Sequence, residues 1–325
     1  MSRRDRVRAA IAGEPVDRVP AALWRHFPIA DLTSRGLAQA VVDFQRANDF
    51  DLVKVTHASS YPAEAWGGEL VDDANTQGTR RHVSRVIGAP ADWSALPAID
   101  ISNEVYAREL RALQLVRAGV GDDVHVLATV FSPFTIAKQL YGPDIVEHTR
   151  EHPSAVEGGL MRITEVTGAF AAAALESGAD GIFFATQFAR RDLWSVDEYR
   201  RFGLRYDLRV LESVRGRADL LMLHMCGANP MFDLAPEYQA HVVNWEDRTT
   251  APSLAEALTL LPSGAVCGGV RQQSLVAGTP DDVARDVRWA IQQTGGRRLV
   301  VGTGCVTLVT AAQANVRALR DAVEP

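Results

Sequence analysis

Leu221-Met222-Leu223-His224-Met225-Cys226-Gly227 is an apolar run that turns polar at its end and stops at a glycine. A strand buried on both faces that terminates at a site reads this way. Side chains at i and i+2 of a strand share a face, so His224 and Cys226 point to the same side. An imidazole beside a thiolate offers two zinc ligands in want of a third. The pair also reads as a core histidine next to an inert buried thiol, and only the rest of the chain separates the two.

Seven further runs of this kind flank it, at 19–24, 51–56, 125–131, 181–186, 241–245, 265–269 and 298–302. Helical periodicity is expected at 3–13, 35–48, 103–118, in two stretches within 134–178, and at 196–216, 253–260, 279–293 and 311–323. Residues 58–95 read as an irregular connection, and one of that length is expected to serve as a lid or a dimer contact. Eight short apolar strands alternating with helices predict an α/β fold, a (β/α)8 TIM barrel, as a single domain over 1–325. A doubly wound open sheet is the alternative, but no run is followed by a G-x-G-x-x-G or P-loop fingerprint.

The composition is ordinary for a soluble globular chain of 325 residues, and the formal net charge of −6 argues against nucleic acid or an anionic membrane as partner. Met1-Ser2-Arg3-Arg4-Asp5-Arg6 leads into no apolar core of a signal peptide, and no apolar run is long enough to span a bilayer. Three cysteines form no disulfide framework, so a reducing, cytoplasmic setting is expected.

Barrel chemistry sits at the C-terminal ends of the strands. Read there, the sequence supplies Arg25, His26, His57, Ser132, Gln187, His224, Cys226, Glu246, Asp247 and Cys305. The fold would bring Cys305, from the eighth run, to His224 and Cys226 without any local motif. Such a trio with one position open is a catalytic rather than a structural zinc site; three unrelated buried groups are the alternative. Cys267 lies inside its run and is expected in the core. Arg25, His57, Gln187 and Glu246 are the candidate catalytic residues, and Trp24, His26 and Ser132 the candidate cofactor contacts. Arg25 could instead pair with an acid, and His26 and His57 could cap loops or line the pocket. Glu246 and Asp247 could supply the fourth ligand, orient His224, or sit solvated beside Arg248.

With these residues in view the chain resembles the uroporphyrinogen decarboxylase superfamily over nearly its whole length. The similarity lies in the opening Arg-x-x-x-Arg helix with Val16-Asp17-Arg18-Val19-Pro20, in Gly278-Thr279-Pro280-Asp281-Asp282-Val283, and in Asn315-Val316-Arg317-Ala318-Leu319. It implies the barrel independently of the strand count. True decarboxylases carry an Arg-Gln-Ala-Gly-Arg segment after the first strand, where this chain has Trp24-Arg25-His26-Phe27. They also carry an aspartate near the end of the second, where it has Val55-Thr56-His57-Ala58. Their last-strand histidine falls on Cys305. The methylcobamide:thiol methyltransferase branch instead has His-x-Cys on the fifth strand and Gly-Cys on the eighth, which His224, Cys226 and Gly304-Cys305 match. That resemblance implies zinc activating a small-molecule thiol for methyl transfer from methylcobalamin or another corrinoid. The chain lacks a D-x-H-x-x-G corrinoid segment, so the donor is expected free or on a separate corrinoid protein; a homodimer is the expected assembly. The alternatives are a decarboxylase-type lyase acting on a carboxylated tetrapyrrole and a non-catalytic corrinoid- or tetrapyrrole-binding protein.

Overall fold

The structure is a computed structural model that describes residues 1–324. Its strands are β1 (Leu52–Val55), β2 (Leu70–Asp72), β3 (Arg80–His82), β4 (His125–Phe131), β5 (Gly181–Thr186), β6 (Leu220–Met225), β7 (Val242–Trp245), β8 (Ala265–Val270) and β9 (Leu299–Thr303). Seven of them form one parallel sheet in the order β1-β4-β5-β6-β7-β8-β9, with helices between successive strands. The fold is the expected (β/α)8 barrel.

Period-two alternation divides each strand between two layers. Leu52, Leu127, Phe183, Met222, Val242, Cys267 and Val300 pack together inside the barrel. Val53, Val126, Ile182, Leu223, Val243, Val266 and Val301 face outward under the helices. Cys267 is therefore core, as expected. Towards the C-terminal mouth the inward positions turn polar: Lys54 on β1, Thr129 on β4, His224 on β6 and Asn244 on β7.

The run at 19–24 is the one expected strand that does not form a ladder. It keeps a single bridge, Ala21 to Val301. Pro20 has no N–H to give, and the Ala21 N–H donates at 2.8 Å to the Asp51 carboxylate rather than to a neighbouring strand. Three backbone bonds still close the ring: Ala22 N–H to the Val301 carbonyl (2.9 Å), Val301 N–H to that of Pro20 (2.8 Å), and Asp51 N–H to that of Ala21 (2.9 Å).

Other expectations are corrected in detail. Residues 58–95 are not irregular: they hold helices Tyr61–Ala65 and Asp92–Ala95 and the antiparallel β2–β3 hairpin. The stretch 134–178 contains three helices (Pro133–Tyr141, Ile145–Glu151 and Pro153–Glu176), because Gly142-Pro143 and Pro153 each break the run. The helix expected at 196–216 ends at Glu212 and passes through a π-helical turn, Arg200–Leu204. An unforeseen short helix, Gln272–Ala277, follows β8. No helix among the described residues is long and apolar enough to cross a membrane.

Asp51 is fully buried, and its carboxylate takes bonds from Arg6 (2.8 Å), from Arg18 (2.7 and 2.9 Å) and from Ala21 N–H. Asp51→Ala would leave buried guanidinium charge short of a partner at the seam. A destabilisation of about 3–5 kcal/mol is expected, read from the midpoint of a denaturant melt; a shift under about 1 kcal/mol would mean the seam does not depend on this carboxylate.

Candidate metal centre

His224 is the inward-facing residue next to the end of β6, and Cys226 lies one residue past the strand, its N–H held by the Thr186 carbonyl at 2.9 Å. Gly227, at φ 95, turns the chain away immediately afterwards. Cys305 lies just beyond β9. It reaches the same place because Gly304 lets the backbone press against the end of β7: a Cβ there would stand 2.5 Å from Glu246 Cα and 2.6 Å from the Trp245 carbonyl. The ligand atoms of His224, Cys226 and Cys305 consequently all lie within 4.8 Å of one another, with Cys305 Sγ 3.7 Å from His224 Nε2.

The state of each group follows from its neighbours. His224 Nδ1 stands 2.7 Å from Asn244 Oδ1. The Asn244 amide cannot be turned round, because its Nδ2 donates to the carbonyls of Cys267 (2.8 Å) and Thr303 (3.0 Å). Nδ1 of His224 must therefore carry the proton, which leaves the Nε2 lone pair facing the cysteines. The Cys305 thiol is held well below its ordinary range, first by the bond donated from Cys226. Cys226 is pushed up, because it supplies that bond and is buried, and the nearby Glu246 carboxylate adds to the push. A donor set of one imidazole nitrogen and two thiol sulfurs suits a soft-tolerant, tetrahedral ion such as zinc.

These groups open onto a cavity of about 320 Å³ at the barrel mouth. Trp24, His26, His57, Gln187 and Glu246 line it with the trio, as the strand-end reading expected. His57 Nδ1 donates to the buried Glu109 carboxylate at 2.9 Å, while its Nε2 has no partner among the described residues. His26 is kept neutral, its pKa lowered to about 3 by burial and by Lys54 and Arg80. Glu246 accepts from the Thr249 hydroxyl at 3.2 Å.

Three of the strand-end residues do not line this cavity. Arg25 turns away from the mouth, donates to the Val309 carbonyl at 3.1 Å and packs over Phe27. Ser132 is a helix cap: its fully buried hydroxyl accepts from Thr135 N–H at 3.2 Å and pairs with the Thr135 hydroxyl. Asp247 does not orient His224. It accepts from Gly269 N–H at 3.1 Å, and burial raises its carboxyl to about 7.

Two residues of the site were not singled out in the sequence. Asn244 gave no spacing signal, being one amide in an apolar run. Lys54 did give one: a charge in the middle of Leu52-Val53-Lys54-Val55, at the period that faces the interior. It is 8% exposed, makes no ion pair among the described residues, donates to Thr56 Oγ1 at 3.2 Å, and lies 4.6 Å over the Phe183 ring. Burial lowers its pKa to about 7, with the Cys305 thiolate acting the other way.

A family model described as uroporphyrinogen decarboxylase (URO-D) matches residues 2–325, and the chain belongs to that family. Among curated relatives, it is 26% identical over 245 residues to methylcobamide:CoM methyltransferase MtaA of Methanosarcina barkeri, covering 69% of each chain. Against methylcobamide:CoM methyltransferase MtbA of Methanosarcina acetivorans it is 20% identical over 325 residues, covering 95% of this chain and 94% of the relative. In fold it is similar to a methyltransferase from Methanosarcina mazei, with a TM-score of 0.85 and 22% identity over 99% of this chain and 98% of that one. A B12-independent methionine synthase from Shewanella aligns with a TM-score of 0.65 at 14% identity, over 94% of this chain and 97% of that one.

The lowered Lys54 pKa has a signed consequence for stability. Below about 7 the folded chain carries a buried, unpaired ammonium, and the full penalty applies. Between that value and the ordinary lysine value of 10.5 the unfolded chain binds more proton than the folded one, so stability rises with pH. Lys54→Met should therefore stabilise the protein most below pH 7, with the advantage fading as pH climbs towards 10.5. Paired thermal melts across that range check it, and a variant that is less stable at pH 6 than the parent would contradict it.

Proposed function

From its place in the uroporphyrinogen decarboxylase family, we propose that this chain is a zinc-dependent methyltransferase. It holds zinc through His224, Cys226 and Cys305, takes a small thiol as acceptor, and draws the methyl group from a corrinoid supplied in trans, free or on a separate protein. The observation that carries the reading is the convergence of three soft or borderline ligand atoms within 4.8 Å at the mouth of the barrel. The relatives named as methylcobamide:CoM methyltransferases support it. Bound there, zinc would supply the Lewis acidity that keeps an acceptor thiol ionised at neutral pH.

The chain's own residues do the rest. Asn244 keeps the proton on His224 Nδ1, so that Nε2 remains a ligand atom. Phe183 stacks on the His224 ring, with centroids 5.3 Å apart, and fixes its plane from within the barrel. The walls shield an acceptor in the cavity from bulk water, and His57 Nε2 and Gln187 stand where they can contact it. In the overall transfer the acceptor's S–H proton leaves to solvent. A sulfur–carbon bond forms as the carbon–cobalt bond breaks, and the electron pair stays with cobalt.

The decarboxylase reading loses its clamp, since Arg25 faces away from the cavity. Past the end of β1, where decarboxylases carry an aspartate, the segment Val55-Thr56-His57-Ala58 presents no carboxylate, and His57 is backed by Glu109.

Protein purified without added metal is expected to hold near one zinc per chain. Cys305→Ser replaces a soft thiolate with a reluctantly ionised hydroxyl, so zinc content and methylcobalamin:thiol activity should fall together. Cys267→Ser, in the core, should leave the zinc in place. Unchanged zinc and activity in Cys305→Ser would remove this residue from the site.

A separate expectation attaches to Asn244. Asn244→Leu frees the imidazole to change tautomer, and zinc affinity should drop by about 10- to 100-fold with all three ligands intact. Competition with a chromophoric chelator measures it, and parental affinity in the variant would show that the amide does not set the ligand.

A further inference from the structure

Lys54 stands out among the charges of the barrel. An unpaired ammonium taken out of water is expensive, and buried ones are ordinarily matched by a carboxylate. Here there is none: among the described residues its one hydrogen-bond partner is the Thr56 hydroxyl, and the aromatic faces of Phe183 (4.6 Å) and Trp24 (6.0 Å) supply what further stabilisation it has. The other cations of the cavity wall differ. Arg80 is neutralised by Asp31 and Glu64, and Lys138 is half-buried on the helix Pro133–Tyr141, where water screens it.

Its position relative to the candidate metal ligands gives the burial a purpose. Phe183 is shared: the Lys54 ammonium lies over its ring, and His224 stacks on the same ring. Lys54 also lies within electrostatic reach of the Cys305 sulfur. Charge counting then makes a specific demand. A divalent ion with two cysteinates and a neutral imidazole sums to zero. An incoming thiolate makes the group an anion within the cavity at the barrel mouth. Glu246, the carboxylate in the wall, opposes that charge; Lys54 cancels it.

We infer that Lys54 is the counter-charge of the acceptor thiolate, stabilising through its field the negative charge that gathers at His224, Cys226 and Cys305 when a thiolate joins them. The inference rests on the function proposed above and goes beyond it by assigning a residue outside the ligand set. It acts on the acceptor's sulfur and not on its tail, so it favours ionised thiols irrespective of what they carry. A cation placed to read the tail would instead select among thiols by their second functional group.

Thiol binding without any corrinoid separates these roles. The zinc-loaded full chain is titrated calorimetrically with 2-mercaptoethanol, whose tail is neutral, and with mercaptoacetate, whose tail is anionic. Lys54→Met should weaken both thiols by the same factor, about tenfold or more for a charge acting across several ångströms of protein. Lys54→Arg, which retains the charge, should recover most of the affinity. The methionine variant is close in shape and relieves a buried charge, so it is expected to fold, and its melting temperature provides the control. Loss confined to mercaptoacetate would overturn the inference in favour of a tail contact. Equal binding of both thiols by Lys54→Met and the parent would overturn it outright. A parent that binds neither thiol would instead refute the proposed function, and the inference with it.

Discussion

A single carboxamide fixes the geometry of the barrel mouth. Asn244 sits on β7, donates to carbonyls on β8 and β9, and accepts from the imidazole on β6. Both of its protons and its oxygen are committed, and it is fully buried, so no water competes for them. Four consecutive strands are thereby tied at the level where ligand atoms must meet. The same bonds decide which nitrogen of His224 carries its proton. Register and protonation state are one constraint here, and neither can change without the other.

The opposite end of the barrel is organised by charge instead. The run 19–24 contributes a single bridge and three backbone bonds to the closure, and the Asp51 carboxylate bound to two arginines makes up the deficit. Between these two ends the interior passes from an apolar floor of Leu52, Leu127, Met222 and Val242 to a polar rim. The gradient is what a packed barrel with chemistry at one face requires: the floor supplies cohesion, and the rim holds groups whose hydrogen-bonding capacity is left for something that enters. His57 Nε2 and His26 Nδ1 are two such groups.

Much of this was legible in the residue order, for identifiable reasons. Strands buried on both faces leave long apolar runs, so seven of the eight were found within a residue or two at each end. The run 19–24 looked the same, but Pro20 and the Asp51 side chain replace its ladder, and a side chain 30 positions away leaves no local signature. The hairpin of β2 and β3 has three residues in each strand, too few for alternation to register. At the site, His224, Cys226 and Cys305 were recognisable because strand ends converge in a barrel. Arg25 and Ser132 were misplaced by the same rule, since a residue at a strand end may equally turn back to cap a helix or a loop. Asn244 depends on partners from three strands and could not be read from any one of them. Lys54 could have been: a lone charge at an inward position of a buried strand is itself the signal.

The proximity of the two sulfurs carries a cost when no ion separates them. Cys226 and Cys305 are free thiols at a cavity wall, and the lowered pKa of Cys305 supplies a thiolate next to a second thiol. A low-pKa thiol with a resolving neighbour is the arrangement most open to oxidation, through sulfenic acid to a disulfide. In the metal-free chain the first lesion on exposure to peroxide should therefore fall on this pair and not on the sealed Cys267. An occupied centre would be protected, because sulfur lone pairs engaged by an ion are poorer targets for oxidants. If the centre holds a metal as proposed, metal supply and redox state would be coupled through the two atoms that the barrel brings together.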